Sequence, residues 1–431
     1  MKEIELWMLA PFALMLLGIA LNPLLSPRMW EKNIVKIIFV ALLALPTITL
    51  LSNIGYSAEI EHQLLFDYLP FIVLIGALYV VTGSINIKLG FDATPRNNAF
   101  ILLIGYLLAS VMGTTGAALL LVRPLLSMNR HRKNKAHLML FLIAMVANCG
   151  GLLTPLGDPP LFMLFLRGVP FEWFFNLFPS WATIGVIMLV IYYFADRYYY
   201  RKEESYNNAE NPTTVQRITC SGKMNIVYLA AVVLTVAFIN SEHIPMMQSA
   251  TTPLFMKFLR EIILVSIAIL SWFTTKKQTR TDNQYSWGAF NEIAILFFGI
   301  FVTMIPALFY LRTHAAEIGL ASETGYYYAT GFLSSFLDNT PTAITLYTLA
   351  HESNISIGEL VAGIPSSYLA AISMGAVLFG SMTYIGNGPN FMIKSIAEED
   401  GVKMPDFFGY IFRFALPVLL PVFIIIRLLF V

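Results

Sequence analysis

The run Asn148–Met163, NCGGLLTPLGDPPLFM, lies in an apolar region long enough to cross a membrane. Yet it holds Gly150, Gly151, Pro155, Gly157, Pro159, Pro160 and a carboxylate, Asp158. Proline lacks the N–H that a helix needs and clashes with the preceding turn, so no regular helix continues through it. A helix interrupted at membrane depth leaves backbone groups unpaired, which hydrocarbon tolerates only where that backbone is buried in protein or lines a wet cavity. An acidic side chain there marks a functional site. The run also recurs. LTPLGDPPLFM from Leu153 aligns without a gap to MTYIGNGPNFM from Met382, pairing Thr154 with Thr383, Gly157 with Gly386, Pro160 with Pro389 and Asp158 with Asn387. Two interrupted hydrophobic segments at corresponding places in two halves point to a transporter's binding site.

Hydrophobic residues make up 57% of the chain and charged ones 12%, about half the charge of a soluble domain. Apolar runs of bilayer length recur throughout. The chain is expected to be an all-α polytopic protein of a cell's inner (plasma) membrane, with the lipid bilayer as its surroundings. A net charge of +1 suggests no nucleic-acid partner. Two cysteines, Cys149 in the interrupted run and Cys220 in a polar stretch, imply no disulfide framework. The opening MKEIELWMLAPF has an acidic flank and runs into a full-length span, so it reads as the first helix rather than a cleaved signal.

In order, spans are expected near 6–25, 33–51 and 67–87, then an apolar stretch at 98–126 interrupted by Gly113-Thr114-Thr115-Gly116. Both flanks of that stretch are basic, which fits a re-entrant hairpin with its tip at those four residues. The interrupted helix (137–166) and a span at 173–194 complete a first repeat, residues 1–196. A polar linker, 197–223, leads to the second repeat, 224–431. That repeat has spans near 224–238, 255–273 and 290–310, a hairpin at 325–349 with its tip at Asp338–Pro341, an interrupted helix at 365–396 and a last span at 408–431. Five crossings per repeat is an odd number, so the second repeat is expected to sit inverted in the membrane. Lysine and arginine bias places Arg28, Lys32, Lys36, the linker and Lys276–Arg280 on the cytoplasmic side. Glu59, Glu61, Glu242, Glu317 and Glu323 fall opposite, and both termini lie outside the cytoplasm. Only the mixed loop from Lys394 to Asp406 fits this scheme poorly.

Hairpin, interrupted helix, linker, then an inverted hairpin and interrupted helix resembles the ion transporter superfamily over essentially the whole chain. That group includes sodium/carboxylate symporters, citrate and arsenite transporters, and a branch of sodium/proton antiporters. NCGGLLTPLGDPP is similar to the antiporters' NxGG-x-x-[ST]P-x-GD segment, and SSFLDNTPTA (Ser334–Ala343) to their S-x-L-DN-x-P hairpin tip. The chain departs from that branch at its first tip, where GTTG stands in place of an acidic residue. The TPLGDPPLF run also resembles a bacterial group labelled citrate transporters.

Asp158 and Asp338 are the only carboxylates that the sequence places near mid-membrane. Each needs a cation, a proton or a partner, or each caps a half-helix, at Pro159 and at Asn339–Pro341. Asn148, Thr154, Thr114, Thr115, Asn339, Thr340, Thr342, Thr383, Asn387 and Asn390 supply neutral oxygens and amides near the breaks. Such groups suit sodium, a hard cation taking oxygen ligands, and helix amino ends suit an anionic substrate; each alone also serves as helix–helix glue. Arg123 is expected to snorkel to the interface. The six histidines fall in loops or at span ends, and the tyrosine clusters 198–200 and 326–328 read as interfacial belts.

The leading expectation is a secondary transporter exchanging sodium for protons, with Asp158 and Asp338 as sodium ligands and Asp338 the more sensitive to neutralisation. The alternative is uptake of citrate or another carboxylate coupled to sodium or protons. The only cofactors expected are those coupling ions. A homodimer is left open. With no HExxH motif and no buried histidine base, an enzyme is not expected.

Overall fold

The computed structural model describes residues 4–30, 32–88, 90, 92–204, 219–241, 243–248, 252–353, 355 and 358–431. Most of the linker and Glu242 lie outside the described residues. Among the described residues, seven helices are long and apolar enough to cross a membrane, so the chain is an all-α polytopic membrane protein.

The first three membrane helices are α1 (Ala10–Leu25), α2 (Asn33–Asn53) and α3 (Ser57–Gly83). Strand β1 (Asn86–Lys88) follows. Helix α4 (Pro95–Met112) starts where Thr94 Oγ1 accepts from Asn97 N and Pro95 takes the first helical position, an arrangement that satisfies one free N–H and removes another. The chain reverses at Gly113, whose φ of +83° is a conformation open to glycine, and returns as α5 (Thr114–Met128), packed on α4. The tip is therefore tighter than GTTG suggests, because Thr114–Gly116 already belong to α5. Helix α6 (Ala136–Phe141) continues through a π-type segment (Leu142–Val146) and a short 3-10 turn (Cys149–Leu153). It then breaks and resumes as α7 (Pro159–Leu166). Helix α8 (Phe178–Glu204) closes the first half.

Strand β2 (Thr219–Ser221) pairs antiparallel with β1, Ile87 opposite Cys220. It is followed by α9 (Met224–Phe238), α10 (Leu259–Thr274) and α11 (Gly288–Ile318). Helix α10 is shorter than the expected span because the chain kinks at Phe258. Ser322 caps α12 (Glu323–Phe336). The chain turns at Leu337–Asp338 into α13 (Asn339–Glu352). A two-stranded ribbon, β3 (Leu360–Val361) and β4 (Ile364–Pro365), leads to α14 (Ser366–Phe379). The break after it is followed by α15 (Gly388–Glu399), and α16 (Phe407–Phe430) ends the chain.

Two sets of helices share the packing. Helices α1, α2, α3, α9, α10 and α11 contact one another in one layer, while the hairpins pack with the interrupted helices in another. The contacts between hairpins and interrupted helices cross over: α5 of the first hairpin packs on α15, and α13 of the second packs on α7.

Several expectations need correction. Helix α8 runs on to Glu204, past the expected linker start at 197, and Asp196 within it is fully buried, paired with Arg132 (2.6 Å) and accepting from Tyr192 (3.0 Å) and Asn98 (3.1 Å). His137 is also drawn in, its Nε2 2.8 Å from the same carboxylate. Asp158 and Asp338 are thus not the only acids inside the bundle. Asp67 is buried as well, and so is Glu261, 2.6 Å from Arg260. Tyr326 and Tyr327 are core residues rather than an interfacial belt.

Asp67 on α3 pairs with Arg167, just past α7, at 2.8 Å, tying the two layers together. Arg167→Leu leaves that buried carboxylate uncompensated. We expect it to lower unfolding free energy by about 3–5 kcal/mol, read as a fall in Tm of the purified protein. The Asp67→Asn, Arg167→Leu double variant recovers most of that loss.

Candidate functional site

Both interrupted helices break in the same way. In the first, Thr154 donates to the Ser110 carbonyl of the first hairpin and accepts from Leu156 N. In the second, Thr383 donates to the Ser335 carbonyl of the second hairpin and accepts from Ile385 N. A threonine hydroxyl thus fastens each break to its own hairpin. Gly151 and Gly157 close the first break, backbone against backbone, and Gly380 and Gly386 the second. Glycine is needed here because the two backbones approach within the space that a side chain would fill.

The two breaks meet. Asn148 Nδ2 donates to Asn390 Oδ1 at 2.7 Å, and Asn387 Nδ2 to the Ala147 carbonyl at 3.0 Å and to Asn148 Oδ1 at 3.2 Å. Asn390 Nδ2 in turn satisfies the carbonyls of Gly380 and Thr383. These asparagines pair backbone groups that the breaks leave free.

Asp158 sits at the centre, 1% exposed. Its Oδ1 accepts from Thr114 Oγ1 at 2.8 Å, at the tip of the first hairpin, and its Oδ2 from Asn339 Nδ2 at 3.0 Å, at the tip of the second. Asn387, its counterpart in the repeat, lies 3.4 Å from Oδ1. Asp158 stands at the amino end of α7 but makes no side-chain capping bond there. Its carboxylate is turned instead into the space between the hairpins. Asp338 behaves otherwise: half-buried, it caps α13 by accepting from Thr340 N at 3.0 Å, while Thr342 Oγ1 donates to its carbonyl.

A cavity of about 80 Å³ is lined by Thr114, Thr115, Asp158, Asp338, Asn339, Thr340 and Asn387. It adjoins one of about 370 Å³ that shares Thr115, Asp338, Asn387, Gly388 and Pro389 and extends along α2 and α11. The amino ends of four helices, α5, α7, α13 and α15, border the smaller cavity. Thr340 Oγ1 is buried there without a hydrogen-bond partner among the described residues. Asn148, Thr154, Thr342, Thr383 and Asn390 do not line it and hold the breaks together behind it. Arg123 is half-buried and lines a third cavity, of about 220 Å³. Lys36 and Glu292, which line the 370 Å³ cavity, were not singled out from sequence as site residues, since Lys36 reads there as a basic flank.

Paired interrupted helices closed by two hairpins around a buried carboxylate, in a chain of membrane-length helices, define a multi-pass membrane transporter. A family model described as "Putative citrate transport" matches residues 1–431, and the chain belongs to that family. No curated protein matches it. Membership of a transport family agrees with the expectation that the chain is not an enzyme.

Proposed function

We propose that the protein is a secondary active transporter of citrate or a related carboxylate, coupled to sodium ions or protons and working by alternating access. The observation that carries this reading is the convergence of four helix amino ends on one cavity. Each turns the positive end of a helix dipole toward that cavity, worth roughly 0.3–1 kcal/mol apiece toward an anion, although α7 opens with Pro159 and Pro160 and so offers no N–H in its first two positions. Asp158 supplies the negative charge against which a coupling cation binds, so that anion and cation enter the same site together. Thr114, Thr115, Asn339, Thr340 and Asn387 offer neutral oxygens and amides to both. The hairpins and interrupted helices then move as one layer against the other.

Sodium/proton exchange without an organic substrate is the second reading, favoured by a second carboxylate, Asp338, on the same cavity. Proteoliposomes separate the two. Carboxylate transport gives citrate-dependent uptake driven by a sodium or proton gradient, and sodium alone moves no protons. Exchange gives sodium-dependent collapse of a pH gradient without citrate.

In this reading the protein lies in the inner (plasma) membrane with the linker cytoplasmic. Cys149 is buried and Cys220 half-exposed on β2. A membrane-impermeant thiol reagent should therefore label Cys220 in inverted vesicles and leave intact cells unlabelled. Labelling of intact cells reverses the assigned orientation.

A further inference from the structure

Lys36 is placed oddly for a residue that only anchors a helix at the membrane surface. Such lysines extend their stems so that the ammonium reaches water. Lys36 is instead 3% exposed. Its Nζ lies 3.0 Å from Glu292 Oε1 on α11, and both residues line the 370 Å³ cavity that leads to Asp338 and Asn387. Glu292 lines a second cavity too, the 220 Å³ one that holds Arg123. Among the described residues a carboxylate thus occupies the buried ammonium that lines the path, and the same carboxylate borders a second cavity that a base, Arg123, also lines.

From this geometry we propose that Lys36 is a substrate-binding residue, whose ammonium takes a carboxylate group of the transported anion in place of Glu292. The inference rests on the carboxylate reading of the central site. Glu292 and a substrate carboxylate are the same chemical group, so one replaces the other without leaving Lys36 buried and uncompensated, the outcome that makes breaking a buried pair costly. The displaced Glu292 turns toward the cavity of Arg123, which keeps its own charge matched. An anion held by Lys36 on α2 faces Gly388 and Pro389 at the amino end of α15 across the same cavity, so it spans the two layers that alternate. An anion with several carboxylates suits such a site better than a monocarboxylate, since one group meets Lys36 while another meets the helix amino ends.

The test is uptake of radiolabelled citrate into proteoliposomes, with KM and maximal rate measured separately. Lys36→Gln should raise KM about tenfold or more, the expected effect of losing a charge-assisted contact, and Lys36→Arg should restore part of it. Glu292→Gln removes the competing carboxylate and should lower KM at least about threefold. Acetate at high concentration should compete with citrate much less well than succinate in the wild type, and the gap should narrow in Lys36→Gln. An unchanged KM in Lys36→Gln overturns the proposal. If Lys36→Gln does not fold, an unchanged or raised KM in Glu292→Gln overturns it equally. A wild type that takes up no citrate overturns both this and the carboxylate reading, whereas a wild type that does so with unaltered KM in the variants overturns this alone.

Discussion

Asp158→Asn should abolish gradient-driven citrate uptake, by roughly 100-fold or more, while the protein still folds. In the proposed scheme Asp158 is the fully buried charge that balances the coupling cation, and removing it is a change of about 3–5 kcal/mol in a dry site. Folding should survive because asparagine fits the same space and the neighbouring amides can adjust. Asp158 accepts with both oxygens, from Thr114 and from Asn339. Asparagine turns one of these into a donor, which faces the Asn339 amide. Asn339 can rotate, since the Ser334 hydroxyl that bonds its Oδ1 also lies 2.6 Å from the Ala376 carbonyl and can donate there instead. Asp338→Asn should be milder, within about 10-fold, because asparagine caps a helix about as well as aspartate. This reverses the order expected from sequence. Equal Tm values with transport lost only in Asp158→Asn support the scheme. Full activity in the Asp158→Asn, Asp338→Asn double variant would leave both acids as structural groups.

Gly157→Ala should cost roughly 3 kcal/mol or more and leave little folded protein. A Cβ at Gly157 would sit on the Gly151 carbonyl oxygen and 2.7 Å from the carbonyl carbon. The obstacle is backbone, so no rotamer relieves it, and Gly151 cannot retreat because Thr114 Cγ2 lies 2.6 Å from its own Cβ position. The Gly157 carbonyl also accepts from Thr114 N at 2.8 Å, which seats the first hairpin tip on the break. Gly388→Ala is the control. It is exposed and a Cβ there meets nothing within 4 Å, so its stability should change by less than about 0.5 kcal/mol. Yield after detergent extraction and thermal unfolding of the survivors measure both. A stable Gly157→Ala would mean that the break has room the structure does not show.

Much of this was readable before any coordinates. Proline and glycine at high density announce an interrupted helix because their effect is local. The ungapped match that paired Asp158 with Asn387 placed two residues that turn out to lie 3.4 Å apart. The reversal between α4 and α5 followed from its basic flanks and the Gly113–Gly116 interruption. What stayed hidden depends on partners distant in the chain. Asp196 borders the polar linker in sequence, and what makes it a core residue is Asn98, 98 positions earlier, with His137, 59 positions earlier. Lys36 reads as a topology signal, and only Glu292 beside it shows otherwise. Asp158 and Asp338 looked alike as possible caps, and the direction of each side chain is set by tertiary packing.

The wiring of Asp158 has a consequence for how the chain is made. Thr114 is already synthesised when Asp158 emerges, but Asn339 lies 181 residues further on and Asn387 229. While the ribosome completes those stretches, the first half holds a broken helix and a carboxylate with half of its partners missing. Contacts so far apart in sequence form late and slowly, and a half-built bundle with unpaired polar groups is prone to misassembly. Biogenesis of this transporter therefore has one late committing event, the arrival of the second hairpin and second break on the first. A quality-control protease would see its longest window of opportunity just before it.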